Sequence, residues 1–276
     1  MGVNKYLCIL VLGFLFGCSG KGDKTEEDFL YSKPDFAIKS ASDLLGEYLD
    51  NINFYTKYID VFGVKMVAQE GFPDEKLLIS AKYMANILDN KKDLISDPDR
   101  REVVATMISR KTFVAHKIDK HKDMHPYDQG FLSSASTNAS LFESEVWDGE
   151  REDSQKGGAQ FEENFHIYQR QGLAEFLPEV FSPDDINSEI SILYKNADTK
   201  RLYSYDDITC DNSCKAVEYW WFAESSFFDW HVNFSVDNRE YKPKDKNELE
   251  TMDPGYVKFH EKHKNLLLEN LPTAEY

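Results

Sequence analysis

The stretch Phe161-Glu162-Glu163-Asn164-Phe165-His166 has the residue types and spacing to do chemistry. Positions four apart share a helix face, so Glu162 and His166 can hold one ion between them. Glu163 lies one step round the helix and is the expected general base, polarising a water. The pattern is that of H-E-x-x-H with the first histidine replaced by glutamate. Zinc accepts carboxylate oxygen as well as imidazole nitrogen, so two glutamates and a histidine around an open position are chemically allowed. A third ligand must come from elsewhere. Glu218 is the candidate, an acid on an otherwise apolar helix where an unpaired carboxylate is costly. Tyr219 or Tyr205 could stabilise an oxyanion. The same acids also suit a helix start after Gly157-Gly158, where the dipole favours them without any ligand. Phe161, Phe165 and Tyr168 equally suit a core stripe.

The remaining histidines and acids read more plainly. His116, His121 and His125 lie at irregular spacing in a lysine-rich stretch, which reads as a solvated loop rather than a surface metal patch. His260 and His263 sit three apart, with Lys264 where a zinc-protease helix needs its second histidine, so an exposed face is expected. Asp89, Asp93 and Asp97 lie in a polar, charged stretch that reads as a solvated loop. There is no G-x-S-x-G elbow, P-loop or G-x-G-x-x-G, so serine hydrolase, nucleotide-enzyme and Rossmann readings lack support.

The elements that must position the first cluster follow from periodicity. Leu44, Leu45, Tyr48, Leu49, Ile52, Tyr55 and Ile59 recur at helical spacing, and Val61 to Ala68 reads as a strand. Pro73-Asp74-Glu75 opens a helix carrying Leu77, Leu78, Ala81, Met84, Ala85 and Leu88. Asp97-Pro98 reads as an N-cap and first helical residue. Residues 112–118 suit a second strand, and 119–158 are loop-rich. Further helices are expected over about 159–177, 183–197, 213–230 and 254–269, with a loop over 203–212. The 213–230 helix is apolar almost all round and should be central. The class expected is α+β, helix-rich, with a small sheet packed by several helices in one domain over 40–276.

The N-terminus reads as a secretory signal. Lys5 precedes an apolar run from Leu7 to Phe16, too short to span a bilayer, which needs about 20 residues. The ending Leu15-Phe16-Gly17-Cys18 resembles the lipobox of bacterial lipoproteins. That resemblance implies a signal peptide over 1–17 and acylation of Cys18, for instance by palmitate. The protein would then be held in the cell envelope by its acyl chains, with outer-membrane sorting compatible with Ser19. Residues 18–39 then form a flexible acidic tether. The formal charge of −17 repels phosphate backbones and excludes a nucleic-acid partner. It also repels anionic lipid, which leaves the acyl chains as the membrane anchor. Aromatic content of 14%, with 19 Phe and 15 Tyr, supplies a core and argues against global disorder. With Cys8 removed and Cys18 acylated, Cys210 and Cys214 remain in a compartment that permits disulfides, and they are expected to pair. A lone C-x3-C lacks the second pair a structural zinc site would need.

Three stretches together resemble an uncharacterised family of secreted bacterial proteins. They are Phe72 to Leu78 with Leu88-Asp89-Asn90, then Glu162 to His166, then Tyr205 to Cys214 leading into Glu218-Tyr219. The resemblance implies that Glu162, Glu163, His166 and Glu218 form one zincin-like site, and it names no reaction. It also implies a calcium loop after Leu88-Asp89-Asn90, but here a lysine stands at a would-be ligand position and Leu94 replaces the turn glycine, so calcium at Asp89, Asp93 and Asp97 is doubtful. The expectation is a zinc-dependent hydrolase of peptide or amide bonds, acting on a peptide or protein substrate. The rival expectations are a non-catalytic envelope lipoprotein binding a protein, peptide or glycan, and a purely structural metal.

Overall fold

The computed structural model describes residues 32–121, 124–146, 158–233 and 240–276. The run expected to be helical from Leu44 to Ile59 is not a helix. It holds one 3-10 turn, Ala41–Leu44, and then extends into the strand Tyr55–Val61. The apolar spacing fits both periods here, and the β-branched and aromatic content of Tyr55-Thr56-Lys57-Tyr58-Ile59 decides for a strand. Phe62 and Gly63 both take positive φ (50° and 91°), which closes a two-residue hairpin between Val61 and Val64. Asp60 accepts the Gly63 N–H at 2.8 Å. A Cβ on Gly63 would lie 2.5 Å from the Ile108 side chain, so only glycine lets a helix pack this close to the turn. The stretch expected as one strand, Val61 to Ala68, is therefore a turn and half of a hairpin.

The sheet runs β1 (Lys39–Ser40), β2 (Tyr55–Val61), β3 (Val64–Gln69), β4 (Phe113–Lys117) and β5 (Ser140–Phe142), neighbours in that order. The first three pair antiparallel; β3–β4 and β4–β5 are parallel. Two helices, α1 (Asp74–Leu88) and α2 (Pro98–Ser109), make the parallel crossover from β3 to β4. Asp97 caps α2 by accepting from Asp99 N and Arg100 N, as the Asp-Pro pair predicts. Alternation sorts the two faces. Val64, Met66, Ala68 and Val114 face the helices, while Val67, Phe113 and Ala115 face a smaller cluster with Tyr48, Tyr55 and Phe131.

The remaining helices build the larger layer. α3 (Ala159–Ile167) runs on through a π-helical turn, Tyr168–Leu173, into Ala174–Phe176 and ends before Pro178. α4 (Glu189–Thr199) starts six residues later than expected because Ser188 caps it. α5 (Asn212–Phe227) is central and buries Trp220 completely, as its all-round apolarity predicts. α6 (Lys246–Met252) was not anticipated. α7 (Pro254–Lys262) ends before 269, and the buried loop Leu266–Leu268 follows. Arg100 is buried and donates to the Ile87, Asn265 and Leu267 carbonyls, bolting that loop to α2. The fold is α+β and helix-rich, a single domain on a mixed five-stranded sheet. Phe36, in the segment expected to be a tether, packs edge-on against Tyr276. The expected signal peptide and Cys18 lie outside the described residues. Among the described residues no helix is long and apolar enough to cross a membrane.

His116 departs from the solvated-loop expectation. It is wholly buried on the helix-facing side of β4, with Nδ1 3.2 Å from Val67 O and Nε2 2.8 Å from Ser80 Oγ of α1. The lysines around it mark the end of the strand, not its middle. Burial pushes its pKa down to about 4. The folded-state value lies below the ordinary 6.5. The stabilising contribution of the neutral ring is therefore fully present above pH 6.5 and is lost as pH falls through about 4, an effect of ~3 kcal/mol. The His116 ring should stay neutral in NMR titration until about pH 4. A His116 titration centred near 6.5 would contradict this.

Candidate metal centre

Three faces of α3 are set by three different neighbours. Phe161 and Phe165 face the aromatic wall of α5, with Phe161 4.6 Å from Trp221 and Phe165 6.0 Å from Trp220. Gln160 and Asn164 face α1, where Asn164 Nδ2 donates to Ser80 Oγ at 3.1 Å. With those two rows anchored, the third row of Glu162 and His166 can only point beside α5, towards Glu218. The π-helical turn then carries Gln169 under the histidine. That turn packs tightly on α2; a Cβ on Gly172 would lie 2.8 Å from Val103 Cγ1.

Glu162, His166 and Glu218 each bring one ligand atom to within 4.8 Å of the others, an arrangement able to hold a metal ion. His166 Nε2 is 3.5 Å from Glu218 Oε1 and 3.9 Å from Glu162 Oε1. It is buried and makes no close hydrogen bond, the Glu218 contact being long at 3.5 Å. On the other side of the ring, Nδ1 is 2.9 Å from Gln169 Oε1. With the ring neutral, the Nδ1 proton donates to Gln169 and the Nε2 lone pair faces the two carboxylates. That is how proteins orient a metal-ligating imidazole.

The local field favours a cation. Burial and the Glu218 charge push Glu162 up to about 8. Burial, with Glu218 and Glu145, pushes Glu163 up to about 7 against the pull of His166. Burial alone would depress His166, but the three surrounding glutamates outweigh it and raise it to about 10. Glu240 and Tyr205 are also raised, by burial and then by Glu218. A divalent ion would replace shared protons and relieve this crowding.

Glu163 is not one of the three converging ligands. It lines a cavity of about 380 Å³ beside them. Asn138 lines the same cavity and donates to the His166 carbonyl at 3.4 Å. Tyr205 stacks on Tyr203 and lies close enough to Glu218 and Glu162 to feel their charge. Tyr219 is excluded as an oxyanion donor. It is wholly buried on another face of α5, and its hydroxyl donates to Asp253 at 2.9 Å. Cys210 and Cys214 form a disulfide across the start of α5, where Asp211 accepts the Cys214 N–H at 2.9 Å.

Two further expectations are corrected. His260 is buried, stacked on Phe227 and 3.4 Å from the fully buried Glu224, while His263 contacts Glu189 at 3.3 Å. Their helix face packs inward because Tyr256 and Phe259 beside them are core residues. The acids of the would-be calcium loop are not merely solvated either. Asp89 is buried and accepts from Leu94 N, Ile95 N and the Tyr276 hydroxyl; Asp93 accepts from Ser96, and Asp97 caps α2. Sequence reasoning missed Gln169, whose spacing of three from His166 was the available signal. It also missed Lys117 and Asn138, which only the tertiary fold brings to the site.

No protein-family profile, curated protein or solved structure matches this chain. The functional reading is therefore carried by geometry.

Removing the Gln169 support should loosen the ligand set without touching it. The Gln169→Ala variant should bind a divalent ion about 10–100-fold more weakly than wild type by competition with a chromophoric chelator. Unchanged affinity would show that the ring is oriented by something else.

Proposed function

We propose that this protein is a lipid-anchored cell-envelope metallohydrolase that cleaves peptide or amide bonds with zinc held by Glu162, His166 and Glu218. The observation that carries the reading is the convergence of those three ligand atoms on the unpartnered Nε2 of His166. One nitrogen and two carboxylates suit zinc, whereas calcium prefers six to eight oxygens. Three protein ligands also leave a coordination position open, which is the mark of catalytic rather than structural zinc sites. When bound, the ion supplies Lewis acidity towards water and a carbonyl oxygen.

The chain's own residues account for the rest. Gln169 holds the His166 ring in one tautomer. Glu163, with a value raised to about 7, can accept a proton from water and return it to the leaving nitrogen near neutral pH. In net terms water adds across the C–N bond and yields a carboxylic acid and an amine. Tyr205 remains the candidate oxyanion donor. The lipobox-like Leu15-Phe16-Gly17-Cys18 supports acylation of Cys18 and an envelope location.

Two outcomes are expected. Glu163→Gln should keep about one zinc per chain while lowering kcat by ~10²-fold or more in a quenched-peptide library assay. Unchanged turnover, or loss of the zinc, would remove Glu163 from its role. Cys18→Ser should move the expressed protein from the membrane to the soluble fraction and abolish incorporation of labelled palmitate. Continued incorporation would refute acylation at Cys18.

A further inference from the structure

We infer that the cavity beside Glu163 is a subsite for a carboxylate-bearing ligand, whose carboxylate pairs with Lys117. The inference builds on the metallohydrolase reading and names the substrate class of that site: a peptide or N-acyl amino acid with a carboxylate next to the bond to be cut. The cavity holds about 380 Å³, a volume suited to a small ligand. It is bounded by the end of β4 at Lys117, by Ser140 and Phe142 of β5, by Asn138, and by Glu163 of α3.

Lys117 is only 2% exposed. Its ammonium donates to the Met124 carbonyl at 2.7 Å and lies 5.1 Å from the centroid of the Phe142 ring. Met124 and Phe142 both line the cavity, so the ammonium sits at its wall. Glu145 is near enough for its charge to favour the ammonium, but no ion pair joins the two among the described residues. Most lysines keep their charge in water, and burying one without a counter-ion is costly. A ligand carboxylate would supply the direct pairing that Glu145 does not, through a charge-assisted hydrogen bond. Asn138 ties this wall to the ligand cluster, lining the cavity while donating to the His166 carbonyl at 3.4 Å. Glu163 stands on the same wall, next in sequence to Glu162. A ligand anchored at Lys117 therefore lies alongside the glutamate proposed to move the proton. Ser140 and Asn138 offer hydrogen bonds, and Phe142 and Met124 offer apolar contact, so the pocket is built for more than a simple anion.

Equilibrium binding to the full chain, freed of metal, tests this apart from the zinc reading. The probes are N-acetyl-alanyl-alanine, its C-terminal amide, and N-acetyl-alanyl-glutamyl amide, which carries a carboxylate only on its side chain. The wild-type protein should bind at least one of the two acids about tenfold or more tightly than the neutral amide. Which acid is preferred tells a terminal from a side-chain carboxylate. Lys117→Met should remove the preference, and Lys117→Arg should keep it. The wild-type comparison stands alone if Lys117→Met does not fold. Equal binding of acids and amide, no binding of either acid, or a preference that survives in folded Lys117→Met would overturn the inference. Loss of the zinc reading would leave this measurement unchanged.

Discussion

Three glutamates and a histidine from two helices crowd into one protein-lined space, and this imbalance of charge governs the site. Carboxylates that close repel one another, and burial removes the water that would screen them. The chain answers in part by protonation: His166 is held as a cation and Glu162 and Glu163 are raised towards neutral pH. His166 Nε2 has only the long 3.5 Å contact to Glu218 and no close hydrogen bond. A divalent cation satisfies the same atoms in one step, which is why the metal reading accounts for more of the geometry than a structural ion pair does. The Glu224–His260 pair shows the contrast. There the His260 ring nitrogens also lack hydrogen bonds, but the buried carboxylate is met by the Tyr256 hydroxyl and Leu268 N–H, donors from the protein alone.

The scaffold is built to sustain that crowding. The aromatic wall of α5, with Trp220 and Trp221, fixes the distance to α3 through Phe161 and Phe165. Burial of such large rings contributes several kcal/mol each, enough to offset the cost of a few closely spaced acids. The network of His116, Ser80 and Asn164 ties the other side of α3 to the sheet. Gly172 lets α2 press against the π-helical turn that carries Gln169. The helix is thus clamped on two faces, and its third face is left to do chemistry.

Much of this was legible in the chain. The spacing of Glu162 and His166, the polar outlier Glu218 on an apolar helix, the Asp97-Pro98 start and the Cys210–Cys214 pairing all rest on local rules that tertiary structure did not override. What escaped depends on long-range packing. The Leu44–Ile59 spacing fits a helix until the Phe62-Gly63 turn pairs its second half with β3. His116 looks solvated among lysines until β4 is known to run beneath α1. His260 looks exposed until α7 is seen to pack against Phe227. Tyr219 and Tyr205 are equivalent in sequence, yet the direction of α5 commits one to Asp253 and leaves the other beside the acids. Lys117 and Asn138 come from a stretch that reads as strand end and loop, and only the parallel pairing of β4 with β5 brings them to Glu163.

The most direct measurement is the metal content of the purified protein, made without a histidine tag and without chelator, beside His166→Ala and Glu218→Gln. The account predicts about one zinc per chain in the wild type and loss of it in both variants, since removing either donor leaves too few ligands. Absence of bound metal after zinc is supplied, or retention of it by both variants, would contradict the account and leave the cluster a buried ion pair.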